Sequence, residues 1–266
     1  MTPGAGRRWG RGVAAALVLG SVGAGEAGGQ DLWSDVHAAG DGYVRFEYEA
    51  RPGACGNGDG ASVRLIAREG WRAANRARPC EEAPVRIELR LFDGVVQDLD
   101  VHVGGAWRAR SRATVDLGRV EPDRAADLLF RIAESSVTRA AERALFPATI
   151  GRDVRAWPRL LSIARGGAAL PDVRRQAVFW LGQEAGERAT EGLVSIIEDE
   201  SEIEVREHAI FALSQRDEPG AVEALIHVAR ENPEPILRRR AIFWLGQRGD
   251  DPRVIDFLEE ILRGDG

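Results

Sequence analysis

Val173–Gln183 reads VRRQAVFWLGQ, Val205–Gln215 reads VREHAIFALSQ and Leu237–Gln247 reads LRRRAIFWLGQ, so one phrase recurs every 32 residues. A strict period of that length marks a stacked helical solenoid, whose units bury their apolar faces only against their neighbours. Leu161, Leu193, Leu225 and Phe257 fall on the same grid inside a second apolar-periodic segment, so each unit is a pair of helices. The spacing predicts first helices over about 153–165, 189–199, 219–231 and 252–263, and second helices over about 172–183, 203–215 and 235–247. Pro171, Pro219, Pro233, Pro235 and Pro252 then fall between helices or in first turns, and Gly182 and Gly246 close the motif. Counting back by one period places Leu128 and Leu129 in a helix over about 122–134. Its partner, about 136–145, has lost the motif and runs into Pro147. Degenerate terminal units and a stack that closes on a first helix both fit a surface that meets solvent on one side.

The motif resembles the short HEAT-like repeats of the phycobilisome lyase type, whose second helix reads roughly V-R-x-x-A-A-x-A-L-G, and the resemblance covers about 153–263. It implies the fold, and it implies that Arg174, Arg206 and Arg238 brace the stack through acidic or carbonyl partners. It does not select a function, because the same repeats occur in lyase subunits, in scaffolds and in a di-iron hydroxylase. The di-iron relatives carry His-Glu steps on successive repeats. Here Glu207-His208 stands in reverse order, and Arg175-Gln176 and Arg239-Arg240 occupy the equivalent places, which argues against that metal chemistry.

Ahead of the repeats the period drops to two. In YVRFEYEA, from Tyr43, and in VRIELRLF, from Val85, apolar residues alternate with charged or polar ones, as in half-buried strands. Ser62–Ala67, Val95–Val103 and Thr114–Leu117 are further strand candidates, and Asp93-Gly94 is a hairpin turn. The expected fold class is therefore α+β: a small antiparallel β domain of about five strands at 28–118, then an α-helical HEAT-like solenoid at 119–266. Cys55 and Cys80 are the only cysteines of the chain. Both lie in Gly- or Pro-rich connections, and a bridge between them would stabilise the domain by roughly 3 kcal/mol through loop closure. The segment PGACGNGDG around Cys55, Pro52–Gly60, lacks the Lys-Ser or Lys-Thr and the following helix of a phosphate loop.

Arg7, Arg8 and Arg11, the apolar run Val13–Leu19 and small residues around Ala24 and Ala27 have the form of a secretory signal peptide at 1–27. They predict a periplasmic or secreted protein, with membrane contact only through an uncleaved N-terminal segment. The run is shorter than the roughly 20 residues of a spanning helix. The chain of 266 residues carries a formal charge of -6, which speaks against a nucleic-acid partner. Every basic residue is arginine. The four histidines, His37, His102, His208 and His227, are scattered, and no nucleophile stands beside a base in sequence. No catalytic residue, metal or cofactor is therefore expected.

Projected at 100 degrees per residue, Val173, Ala177, Trp180 and Leu181 form the core stripe, and Phe179 falls away from it. Phe211 and Phe243 hold the same place in the other units, with Gln183, Gln215 and Gln247 one turn on. Stacking would align three aromatic rungs beside three amides, framed by Arg175, Arg239 and Arg240, as a site for a protein or peptide partner. Burial of each ring between neighbouring units is the competing arrangement. The sequence thus points to a non-enzymatic exported HEAT-repeat scaffold, the alternative being an accessory of the lyase type that holds a chromophore or cofactor.

Overall fold

A computed structural model of the chain describes residues 31–58, 63–65, 80–107, 109–110, 113–166, 168–184 and 186–263. The expected signal peptide and parts of Pro52–Gly60 and Ser62–Ala67 lie outside the described residues.

A short helix α1 (Leu32–Ala38) opens the described chain. Asp31 caps it by accepting from the Trp33 amide at 3.3 Å, and Arg131 lies 4.5 Å over the Trp33 ring while its guanidinium bonds Asp31. Strands β1 (Gly42–Tyr48), β4 (Val85–Phe92), β5 (Val95–Val103) and β6 (Thr114–Arg119) form one sheet in the order β5-β4-β1-β6; β2 (Ala54–Cys55) pairs with β3 (Arg64–Leu65). The period-two segments fold as expected. Asp93 and Gly94 take positive φ at the β4–β5 turn, which suits the right-handed twist of a hairpin. The sheet is mixed rather than wholly antiparallel, because β6 runs parallel to β1. β5 and β6 lie at opposite edges of the sheet, so no tight hairpin joins them and forces the opposite direction. Cys55 and Cys80 form a disulfide with Cα atoms 5.4 Å apart.

The helices follow as α2 (Pro122–Ser135), α3 (Arg139–Thr149), α4 (Trp157–Arg165), α5 (Pro171–Gln183), α6 (Glu187–Asp199), α7 (Ile203–Ser214), α8 (Pro219–Glu231), α9 (Pro235–Gly246) and α10 (Pro252–Arg263). Five of them begin on proline, whose fixed φ and missing donor suit a first turn. One expectation fails at Pro147. It lies inside α3, and the helix continues to Thr149. The Pro147 carbonyl accepts from the buried Tyr48 hydroxyl at 2.5 Å, so the sheet holds this turn where the sequence alone places a break.

The second helices α3, α5, α7 and α9 run beside one another, each packed on its neighbour. α3 also packs on β5. Val44, Phe46 and Tyr48 of β1 and Val85, Ile87 and Leu89 of β4 are buried in the same apolar core as Leu128, Leu145 and the solenoid interior. The segments 28–118 and 119–266, distinct by period, therefore share one core among the described residues.

Candidate functional site

The outward side of the second-helix layer carries the aromatic residues singled out in the motif. Phe179 on α5 is 41% exposed and Phe243 on α9 is 53% exposed, while Phe211 on α7 is half-buried. The difference has a local cause. Phe211 rests 4.9 Å from the Trp244 ring of the next helix, and Trp244 in turn holds Phe243 edge-on at 5.0 Å. Trp180 likewise bridges Phe146 of α3 and Phe179, at 5.1 Å each. Between α5 and α7 the tryptophan position is Ala212, and Gly182 approaches it so closely that an added Cβ would lie 2.8 Å from the Ala212 Cβ. Phe179 is left uncovered there. The ladder is thus two aromatic clusters, Phe146–Trp180–Phe179 and Phe211–Trp244–Phe243, separated by a step at Ala212.

Gln183, Gln215 and Gln247 are exposed at the ends of their helices. Gln183 and Gln215 line a cleft of about 470 Å³ together with Gly182, Glu184, Arg216, Asp217 and Glu218. Of the flanking arginines, Arg175 pairs with Asp172 and Arg240 with Glu207. Arg239 is exposed and has no acidic partner among the described residues. The helix-internal arginines act as the resemblance implies. Arg174 donates to the Ala164 carbonyl at 3.0 Å and pairs with Glu200 at 2.6 Å; Arg206 donates to the Ile197 carbonyl at 2.6 Å; Arg238 donates to the Asn232 carbonyl at 2.7 Å.

A second arginine series was missed in the sequence, although Arg216 and Arg248 also stand 32 residues apart. Buried Arg216 donates to the Gly182, Glu184 and Gly186 carbonyls at 2.9, 2.7 and 3.0 Å, to the Thr190 hydroxyl at 2.8 Å and to Glu218 at 2.8 Å. It thereby satisfies the orphan carbonyls that end α5. Arg248 repeats the role on the Ser214 and Arg216 carbonyls. The position one unit earlier is Glu184, which lies 3.8 Å from Arg51 in the segment after β1. Burial raises its pKa, with Arg51 and Arg216 pulling the other way.

On the outer side of the sheet, buried Glu88 receives hydrogen bonds from Arg45 and Arg110, and Trp107 lies 5.1 and 4.9 Å from the Arg45 and Arg86 guanidinium carbons. Burial raises the Glu88 pKa, but the bonds from Arg110 and Arg45 outweigh it and leave the carboxyl below its ordinary value. Every acid in this cluster faces an arginine, which makes it a structural ion network. Among the described residues no group of three or more His, Cys, Asp or Glu could hold a metal ion. His37 and His208 bond carbonyls on their own helices, and His102 contacts the Gly58 carbonyl.

No curated protein matches the chain. The family model of HEAT repeats matches residues 157–243 and 190–266, and these segments span α4 to α10 with the paired-helix geometry described above. The C-terminal part of this chain, residues 157–266, is a HEAT-repeat solenoid.

Proposed function

We propose that this chain is an interaction scaffold whose second-helix surface captures a protein partner as an extended peptide or a single helix, with Phe179 at its centre. The observation that carries this reading is the 41% exposure of Phe179 above Ala212. A large ring left open beside a step gives a partner side chain a pocket wall at little cost in ordering. Gln183 and Gln215, in the cleft at the same end of the helices, supply amides for backbone groups of the ligand. HEAT repeats are in general interaction modules without chemistry of their own, and the surroundings of the histidines favour the same view.

Export is part of the proposal. It rests on the signal-like N-terminus and is supported by the Cys55–Cys80 bridge, which persists best in an oxidising compartment. Among the described residues no helix is long and apolar enough to cross a membrane. The test is crosslinking in the native cell with the wild type, with Phe179→Ala and with Gln183→Ala/Gln215→Ala. The same named partner should be captured by the wild type and lost from Phe179→Ala at unchanged thermal stability. Capture that survives both variants would remove this surface from the function.

A further inference from the structure

The last described unit departs from those before it at the positions that couple one unit to the next. Within the stack these positions carry charge: Glu207 pairs with Arg240, Glu223 with Arg253 and Arg230 with Glu260, each across a unit boundary. One period on, Glu223 becomes Ile255 and Arg230 becomes Leu262, which also stand where α6 has Glu191 and Glu198. Asp172 and Glu204 likewise give way to Ile236. Ile236, Phe243, Ile255 and Leu262 are 41, 53, 42 and 86% exposed. Where the preceding units carry charged side chains at these positions, α9 and α10 carry aliphatic ones.

The two helices carry matching stripes. On α9, Ile236, Arg239 and Phe243 share one side; on α10, Ile255, Glu259 and Leu262 do. Each stripe runs over eight residues, seven helical steps or about 10 Å, with an apolar residue at each end and a charge of opposite sign between. α9 and α10 are both 12 residues long and are joined through residues 247–251, so residues equidistant from Gly249 lie at the same height in the hairpin. Ile236 and Leu262 are such a pair, as are Arg239 and Glu259, and Phe243 and Ile255. A two-fold axis parallel to these helices sets α9 of one copy antiparallel to α10 of the other and leaves heights unchanged. All three pairs then meet across the contact, twice over, as an isologous interface requires. Arg239 lacks an acidic partner among the described residues, and exposed Glu259 holds only the exposed Arg263 of its own helix, leaving its second carboxylate oxygen for Arg239 of the other copy.

We infer that the exposed face shared by α9 and α10 binds a second copy of the chain, forming a two-fold dimer through these two helices. The contact is independent of the peptide reading. It covers Phe243 and leaves Phe179 available, so Phe179→Ala should abolish partner capture without changing the sedimentation of the protein.

Sedimentation velocity on the full chain over roughly 1–100 µM tests the inference. The wild type should sediment as a dimer. Ile255→Glu and Leu262→Glu, which restore the residue types of the preceding units and so leave melting unchanged, should each weaken association by about tenfold or more. Arg239→Glu and Glu259→Arg should each weaken it, and the double variant should recover it. A wild type that stays monomeric at the highest concentration overturns the proposal, as does a dimer indifferent to Ile255→Glu and Leu262→Glu.

Discussion

Arg216 caps the end of a helix with its side chain. It brings donors to the carbonyls that end α5, inside a turn where Arg216 itself is 3% exposed. Removing it leaves buried acceptors and Glu218 without their cation, so Arg216→Ala should cost on the order of 3 kcal/mol. Arg248→Ala, at the less buried equivalent, should cost about 1 kcal/mol, both read from urea midpoints. Glu88 shows the electrostatic side of the same economy of placement. Its folded pKa lies below the ordinary 4.5, so its contribution is present above that pH and is lost as pH falls through the folded value. Acid destabilisation below about pH 4.5 should be visibly smaller in Glu88→Gln, already weakened at pH 7, than in the wild type. Glu184 has the opposite sign, because burial raises its pKa. Its charge opposes folding as pH rises through and above the ordinary value, so Glu184→Gln should gain stability relative to wild type between pH 5 and pH 8. An acid profile unchanged by Glu88→Gln would mean that the arginines do not hold this carboxylate.

At the scale of helices, the close approach of α5 and α7 depends on a glycine facing an alanine. An added Cβ at Gly182 meets the Ala212 Cβ at 2.8 Å and its Cα at 3.3 Å, whereas at Gly246, the same motif position, nothing lies within 4 Å. Gly182→Ala should therefore lose roughly 1–2 kcal/mol by forcing the helices apart. Gly246→Ala should be neutral or gain up to about 1 kcal/mol from helix propensity; equal effects in chemical denaturation would contradict this packing. The pair also shows how far the sequence could be read. The period located every solenoid helix to within a few residues, because the apolar spacing and the prolines report the same boundaries. It also placed Phe179, Phe211 and Phe243 on one side of their helices. It could not separate an exposed ring from a covered one, since that depends on the residue across the interface: Ala212 beside Phe179, Trp244 beside Phe211. Helix α1 escaped notice because seven residues carry too little periodicity. The continuation of α3 through Pro147 escaped because its support comes from Tyr48, 99 residues away. The parallel placement of β6 is equally nonlocal, because it pairs with β1 at the edge of the sheet opposite β5, which alternation of side chains does not encode.

Across the whole molecule, sheet and solenoid are coupled by backbone as well as by side chains. The Arg51 amide donates to the Ile150 carbonyl at 2.8 Å and the Arg152 amide to the Glu49 carbonyl at 2.8 Å, so the strand leaving β1 pairs with the chain leaving α3. Tyr48, Phe46 and Leu89 fill the space against which the first helix pair packs. Solenoids made only of repeats can fray unit by unit, because each unit touches only its neighbours. Here the first units are tied to a sheet of high contact order, while α8 to α10 are not. Urea unfolding should therefore separate two ranges of stability in hydrogen exchange: β1, β4, α2 and α3 exchange together through the global transition, and α9 and α10 open below it. Reduction of Cys55–Cys80, which closes 25 residues, should lower the global midpoint by an equivalent of roughly 3 kcal/mol and leave the opening of α9 and α10 unchanged. If reduction shifted both equally, the molecule would be one cooperative unit from end to end. The sheet would then be stabilising the far repeats through the stack rather than anchoring its first two pairs.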